Sequence, residues 1–199
     1  MRDLLPRLEV DLAALRAGCL FAPERELWLE IGFGGGEHLL ARALENPDVG
    51  FIGCEPFVNG VAKLLAGIAA RDLDNIRVFS DDALALLDAA PEACFSRAYL
   101  LYPDPWPKRR QQKRRFVCER NIAALGRVLK PGGELRFATD IDDYAGWTLR
   151  RFLASPLFVW DARTADDWRL PWEGWTPTRY EAKARAAGRG SAYLTFRRR

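Results

Sequence analysis

The chain has 199 residues, of which 49% are hydrophobic and 29% charged, and its net charge is only +3. Length and composition are those of one globular domain with a full core. Four scattered cysteines without a CxxC pair, together with a single histidine, argue against a zinc site and a disulfide framework. No apolar run reaches about 18 residues and charges interrupt the start, so we expect a cytoplasmic chain without a membrane span or signal peptide.

Strands and helices alternate along most of the chain. The predicted strands are 26–31, 49–54, 75–79, 95–102, 134–139 and 191–196. The predicted helices are 37–44, 57–71, 83–90, 116–129 and 142–154, after a leucine-rich helix within 3–17 that Pro6 begins or interrupts. This alternation predicts an α/β fold with a mostly parallel sheet and helices on both faces.

The last fifth of the chain has a different pattern. Residues 161–180 contain three tryptophans and two prolines with little periodicity. We predict one domain, 1–199, with a lead-in at 1–25 and an insertion at 162–190 before the last strand. Such insertions often carry function, although the tryptophans are equally consistent with ordinary packing.

One stretch combines a stiff turn with strong positive charge. Pro103, Pro105 and Pro107 fix the backbone around Asp104 and Trp106. Six of the next eight residues, 108–115, are Lys or Arg, with no acid among them. A held carboxylate and indole beside cations suit a site that acts on a nucleic-acid base while the cations hold phosphates. The plainer alternative is a stiff loop followed by a solvated helical turn.

A glycine-rich turn follows the first predicted strand. The pattern is Gly32-x-Gly34-x-Gly36, and Gly35 also completes the GxGxxG spacing of dinucleotide-binding sites. A nicotinamide cofactor therefore stays open on the glycines alone, which are weak evidence for any one ligand.

Three acids lie at or next to the carboxyl ends of successive strands, where ligands bind in open α/β sheets. Glu30 precedes the turn, Glu55 ends the second strand and Asp82 follows the third. S-adenosylmethionine has a sulfonium cation and no phosphate, so it suits acids better than a dinucleotide does. Each acid alone could be a solvated loop residue or a helix cap, with Asp81 the more natural cap of the third helix.

The sequence resembles the bacterial tRNA (guanine-N7)-methyltransferases across residues 29–181. The Pro-Asp-Pro-Trp segment with its basic continuation is far more specific than the glycine turn. The matching pieces are Leu29-Glu30-Ile31-Gly32-Phe33-Gly34, Gly53-Cys54-Glu55, Asp82-Ala83, Pro103-Asp104-Pro105-Trp106, Lys113-Arg114-Arg115, Ala138-Thr139-Asp140 and Thr178-Arg179-Tyr180-Glu181.

The resemblance implies a seven-stranded methyltransferase sheet with an antiparallel last strand, S-adenosylmethionine as cofactor, no metal, and tRNA as substrate. Asp104 is the implied catalytic residue. The implied cofactor contacts are Glu30, Gly32, Gly34, Glu55, Asp82 and Asp104. The implied substrate contacts are Lys108, Arg110, Lys113, Arg114, Arg115, Asp140, Thr178, Arg179, Tyr180 and Glu181.

Finer expectations concern the target guanine. Asp140 or Glu181 is expected to select it by accepting from N1 and the exocyclic amine, and Trp106 or Tyr180 to stack on it. His38 is expected to be a helix-face residue without chemistry. We expect a monomer. The chain departs from the resemblance before the first helix, where the family often has a longer basic arm, and this puts RNA affinity in doubt rather than chemistry.

Three other functions fit less of the sequence. A small-molecule methyltransferase has no use for the basic run 108–115. A nicotinamide dehydrogenase leaves Asp82 and Asp104 without a role. A non-catalytic RNA-binding module needs no cofactor acids. Cofactor titration and the salt dependence of activity distinguish these functions.

Overall fold

The computed structural model of the protein describes residues 4–199. Its strands are β1 Glu26–Ile31, β2 Val49–Cys54, β3 Ile76–Phe79, β4 Phe95–Leu101, β5 Leu129–Thr139, β6 Phe158–Trp160 and β7 Ala192–Arg198. Its α-helices are α1 Leu5–Leu8, α2 Leu12–Arg16, α3 Glu37–Glu45, α4 Val58–Arg71, α5 Ala83–Ala89, α6 Glu119–Val128, α7 Asp142–Ala154, α8 Asp166–Arg169 and α9 Arg179–Ala186. A 3-10 helix spans Arg109–Arg114.

The strands form one sheet in the order β3-β2-β1-β4-β5-β7-β6. β1 to β5 are parallel to one another, and β7 runs antiparallel to both β5 and β6. The prediction of a seven-stranded, mostly parallel sheet with an antiparallel last strand is therefore confirmed. Among residues 4–199, no helix is long and apolar enough to cross a bilayer.

Alternate residues along each strand belong to two hydrophobic cores, one on each face of the sheet. In β1, Leu29 and Ile31 belong to the core that α5, α6 and α7 cover. Trp28 points into the other core, which is completed by α3 and α4. This period of two is the reason that the parallel strands have apolar residues throughout while each face receives its own layer of helices.

Several local predictions are corrected. The predicted N-terminal helix is two short helices, and residue 3, where it was predicted to begin, lies outside the described residues. Between the two helices, Glu9 forms an isolated β-bridge with Val78, and the Val10 amide donates to the Val78 carbonyl at 2.9 Å. This pairing covers part of β3, which is an edge strand of the sheet. The predicted turn at 130–133 is an irregular start of β5, and the helix predicted from 116 begins at Glu119. β6, α8 and α9 were not assigned from the sequence.

The carboxyl ends of the parallel strands β1 to β5 all lie at the same end of the strands, and we call this side of the sheet the site edge. The Gly32 amide donates to the Cys54 carbonyl at 2.8 Å, and the Glu55 amide donates to the Phe79 carbonyl at 3.0 Å. These bonds join the loops after β1, β2 and β3. The turn 32–36 (the glycine turn) has φ of +71°, +57° and +79° at Gly32, Gly34 and Gly36, a conformation that favours glycine.

α4 packs tightly on this turn, and the contact predicts the effect of two glycine substitutions. A Cβ at Gly60 would overlap the Gly34 carbonyl oxygen, whereas one at Gly146 in α7 meets only the Arg150 guanidinium, at 3.4 Å. Gly60→Ala is expected to lower the free energy of unfolding by about 1–3 kcal/mol through overpacking. Gly146→Ala, the control, is expected to raise it by up to about 1 kcal/mol because alanine stabilises helices. Urea unfolding measures both, and equal stabilities would contradict the tight contact.

Candidate active site

Glu55 fixes the glycine turn. Its side chain is buried, and its Oε2 accepts from the Gly34 amide at 2.8 Å. Its Oε1 accepts from the Phe57 amide at 3.1 Å, just before α4. A buried carboxylate needs such donors, and here both come from the backbone. Glu55 therefore joins the turn after β1 to the helix after β2.

Glu30 lies at the base of the turn and is paired with a histidine. Its Oε2 is 2.7 Å from His38 Nδ1, and both side chains are buried. The His38 ring lies 4.6 Å from the Tyr99 ring and 5.1 Å from the Trp175 ring, centroid to centroid. His38 lies on α3, as expected, but it is only 2% exposed and packs into the interior. No local pattern distinguished it, because its partners come from β1, β4 and the insertion.

Asp82 is exposed directly after β3 and begins α5. Its Oδ1 accepts from the Leu84 amide at 2.9 Å, so Asp82 is the cap of this helix. Asp81 instead accepts from the Asp82 amide at 2.7 Å. The assignment of the cap to Asp81 is therefore corrected.

The loop after β4 holds Asp104 between two strained residues. Tyr102 and Trp106 have φ of +49° and +41°, conformations that are costly for residues with large side chains and that concentrate at functional sites. Burial raises the pKa of Tyr102, whose hydroxyl donates to Ser191 Oγ at 2.9 Å. Asp104 itself is exposed, and no donor within residues 4–199 contacts its carboxylate.

Arg115 faces inward and is not part of the basic surface. Its side chain is fully buried, and its Nε donates to the Pro105 carbonyl at 2.8 Å. It forms an ion pair with Asp143, and its guanidinium lies 4.8 Å from the Tyr144 and Trp147 rings. The prediction that Arg115 contacts RNA is therefore corrected, because a group packed beneath the Asp104 loop has no access to phosphate.

The remaining cations of the stretch are on the surface. Four of the predicted contacts are exposed in or beside the 3-10 helix: Lys108, Arg110, Lys113 and Arg114. The Arg114 guanidinium lies 3.6 Å from the Trp106 ring centroid. This cation covers one face of the half-buried Trp106 ring, and stacking of Trp106 on a guanine stays a prediction.

The predicted segment Thr178-Arg179-Tyr180-Glu181 lies at the start of α9, and Thr178 is the N-cap of this helix. Thr178 Oγ1 accepts from the Glu181 amide at 3.2 Å, the start of a capping box. The Glu181 carboxylate is fully buried and accepts from Trp175 Nε1 at 2.5 Å and from the Tyr193 hydroxyl at 2.9 Å. Its assignment to guanine selection is corrected, since every approach to it is filled by protein.

Arg179 and Tyr180 bring the insertion against the glycine turn. A Cβ at Gly34 would lie 3.2 Å from Tyr180 Cε2, and one at Gly35 would overlap the Arg179 guanidinium. Arg179 Nε is also 3.4 Å from Glu37 Oε1, at the start of α3. The sequence predicted Gly34 as a cofactor contact and Arg179 and Tyr180 as substrate contacts. In the structure the glycine turn and these two side chains touch.

Asp140 follows β5 at the same edge of the sheet. Its side chain is only 16% exposed, and its Oδ2 accepts from Arg189 Nε at 2.8 Å. Arg189 was not predicted as a site residue, because only its basic surroundings were visible. Within residues 4–199 no cluster of His, Cys, Asp or Glu has the arrangement of a metal site.

Solved structures with this fold include other methyltransferases. The 16S rRNA methyltransferase KamB superposes with a TM-score of 0.64 at 15% identity, over 96% of this chain and 94% of its own. An rRNA methylase from Streptococcus thermophilus gives 0.58 at 10% identity, over 98% and 92%. At these identities the likeness shows the fold.

Sequence relatives are much closer. A family described as "Putative methyltransferase" matches residues 24–194. The tRNA (guanine-N(7)-)-methyltransferase of Rhodopseudomonas palustris (strain BisB18) is 57% identical, over 98% of this chain and 80% of its own length. The enzyme of the same name from Agrobacterium fabrum is 54% identical, over 100% and 88%. The chain therefore belongs to the tRNA (guanine-N(7)-)-methyltransferase family.

Proposed function

We propose that this protein transfers a methyl group from S-adenosylmethionine to N7 of a guanine in the variable loop of tRNA, forming 7-methylguanosine. The observation that carries the proposal is the site edge: a glycine turn, acids after successive strands and an exposed basic 3-10 helix meet there, in a chain whose relatives have this name. Because tRNA is a cytoplasmic substrate in bacteria, we also propose a cytoplasmic location.

The glycine turn fits S-adenosylmethionine better than a dinucleotide. The Gly34 amide already donates to Glu55, so it is not available to a phosphate oxygen. A Cβ at Gly32 would meet no heavy atom within 4 Å, which leaves open space beside the turn. The acids at the site edge suit a cationic ligand and repel a phosphate. These features favour a methyltransferase over the nicotinamide dehydrogenase that the glycine spacing alone left open.

Each acid has a proposed role toward this cofactor, which supplies a methyl group activated on a sulfonium centre. Glu55 accepts from the ribose hydroxyls, because each carboxylate oxygen keeps a free lone pair after its bond to the backbone. Asp82 accepts from the adenine amino group. Glu30 lies toward the methionine end, Gly32 provides the room for close approach, and Gly34, next to Tyr180, is the proposed backbone contact of the turn.

Asp104 is the proposed catalytic residue. Guanine N7 has a lone pair and no proton, so its methylation requires placement rather than an obligatory general base. The purine becomes cationic as the bond forms. An exposed carboxylate on a backbone held by prolines and by Arg115 is suited to stabilise that charge, and such preorganised groups are effective in catalysis.

The proposed RNA surface consists of the exposed cations and the start of α9. Lys108, Arg110, Lys113 and Arg114 hold phosphates. Tyr180, 44% exposed beside the glycine turn, and Trp106 are the two proposed stacking residues. Asp140, whose Oδ2 accepts from Arg189, is the proposed acceptor for the guanine edge, and Thr178 and Arg179 are the remaining proposed substrate contacts.

The product of the reaction tests the proposal directly. Unmodified tRNA incubated with the protein and labelled S-adenosylmethionine is expected to yield labelled 7-methylguanosine on nucleoside analysis. A transcript with adenine in place of the variable-loop guanine is the control and is expected to remain unlabelled. Label on another nucleoside would overturn the base assignment, and no transfer to any tRNA would overturn the proposed function.

Removal of the Asp104 charge is expected to affect turnover more than binding. Asp104→Asn should lower kcat by about 100-fold or more, because a preorganised electrostatic contact to the transition state is lost. Its affinity for tRNA should stay near that of the wild type. Asp48→Asn, an exposed change before β2 at the opposite edge of the sheet, is the control and should leave kcat unchanged. Normal turnover by Asp104→Asn would exclude its catalytic role.

The buried Arg115 and the exposed Lys113 and Arg114 are expected to respond differently to substitution by Gln. Lys113→Gln and Arg114→Gln should each reduce the slope of log affinity against log salt by about 1, as loss of one phosphate contact does. Arg115→Gln should instead lower the free energy of unfolding by about 1–3 kcal/mol, since it removes buried hydrogen bonds. Filter binding at several salt concentrations and urea unfolding measure these effects. A changed slope with unchanged stability for Arg115→Gln would contradict its inward role.

A further inference from the structure

A series of contacts, buried at Glu30, His38 and Glu181 and half-buried at Trp175, leads from the cofactor side of the site to α9 on the substrate side. Glu30 Oε2 pairs with His38 Nδ1 at 2.7 Å. The His38 ring lies against the Trp175 ring, with centroids 5.1 Å apart and planes inclined by 40°. Trp175 Nε1 then donates to Glu181 at 2.5 Å. Three consecutive contacts therefore connect the first strand with the first turn of α9.

The groups in this series have little freedom to move independently. A carboxylate only accepts, so the Glu30 pairing sets the proton on His38 Nδ1 and with it the plane of the ring. Tyr99 packs edge-on against the His38 ring at 4.6 Å. At the other end, Tyr193 donates to Glu181 and its ring lies 5.7 Å from that of Trp175. Close-packed interiors of this kind transmit small displacements.

The series ends where α9 covers the glycine turn. Glu181 belongs to the same first turn as Arg179 and Tyr180, whose side chains lie against Gly35 and Gly34. Glu37, next to His38 at the start of α3, pairs with Arg179 at 3.4 Å. Two adjacent residues of α3 thus contact the segment that places the substrate-side residues beside the cofactor turn.

We propose that His38 is a positioning residue that couples Glu30 to the first turn of α9 through Trp175. Occupation of the cofactor site thereby tightens the placement of Arg179 and Tyr180 over the glycine turn. The identity of the ligand at Glu30 rests on the proposed function, whereas the contacts that carry the coupling do not. A purely structural Glu30–His38 pair would contribute to stability in the same way with or without a ligand.

Hydrogen exchange of α9 tests this coupling without any tRNA. The Glu181 and Ala182 amides donate to the Thr178 hydroxyl and carbonyl, at 3.2 and 3.0 Å, so their exchange reports on the first turn. Saturating S-adenosylhomocysteine is expected to slow their exchange by about fivefold or more in the wild-type protein. In His38→Asn, which keeps a donor at the Nδ1 position but removes the ring, the slowing should fall below about twofold.

Two further variants separate coupling from loss of folding. Trp175→Leu breaks the series at the next contact and should uncouple α9 to the same extent. The double variant His38→Asn/Trp175→Leu should be no worse than either single one, because both changes act on one series. Trp168→Phe, a tryptophan of the same insertion that packs on the opposite core, is the matched control and should retain the wild-type slowing. Calorimetry confirms ligand binding, and thermal unfolding confirms the fold of each variant.

The outcomes distinguish this inference from the proposed function. Full slowing in folded His38→Asn, or no slowing in wild-type protein saturated with S-adenosylhomocysteine, overturns the coupling. If the wild-type protein does not bind S-adenosylhomocysteine, the coupling and the cofactor assignment fall together. If the exchange results are as expected and no tRNA is methylated, the coupling stands while the proposed function fails.

Discussion

The two hydrogen bonds that Glu55 accepts from the Gly34 and Phe57 amides are the constraint on which the site depends. A buried carboxylate without donors costs several kcal/mol, roughly, so the backbone on both sides is held where it can donate. The glycine turn consequently presents an anion rather than free amides to a ligand. Because Glu55, and not a ligand phosphate, accepts from the Gly34 amide, the turn is suited to hydroxyls and cationic groups instead of phosphates.

Charge is divided between two surfaces that meet at the site edge. The acids lie near the end of β1 and in the loops after β2, β3 and β4, while the exposed cations begin at Lys108 and continue through the 3-10 helix. A cationic cofactor and a purine that becomes cationic both suit the acidic side, and a polyanionic RNA suits the other. The small net charge of +3 hides this division, because it sums all 30 Lys and Arg residues against all 27 Asp and Glu residues of the chain.

Sequence patterns predicted the elements that depend on local signals. β1 and β2 have their predicted ends, since apolar runs closed by Gly32 and Glu55 mark them clearly. Burial of particular polar residues was not predictable in the same way. Arg115 is one of six neighbouring cations, and only packing against α7 turns it inward. Glu181 likewise becomes internal through Trp175, in the irregular segment before α9, and Tyr193, on β7 after it. These contacts follow neither a helical nor a strand period, so no periodicity records them.

The inward turn of Arg115 has a consequence for how RNA contact and catalysis are connected. Arg114 lies over Trp106, and Arg115, the next residue, donates to the Pro105 carbonyl. Consecutive residues of the basic stretch thus contact the two residues that follow Asp104, Arg115 the Pro105 carbonyl and Arg114 the Trp106 ring. Since Tyr102 and Trp106 hold strained backbone on either side of that loop, its shape depends on these contacts. Phosphate bound by Arg114 would therefore affect the contacts that hold the Asp104 loop. Binding of RNA and placement of the Asp104 carboxylate are thus coupled through the same residues.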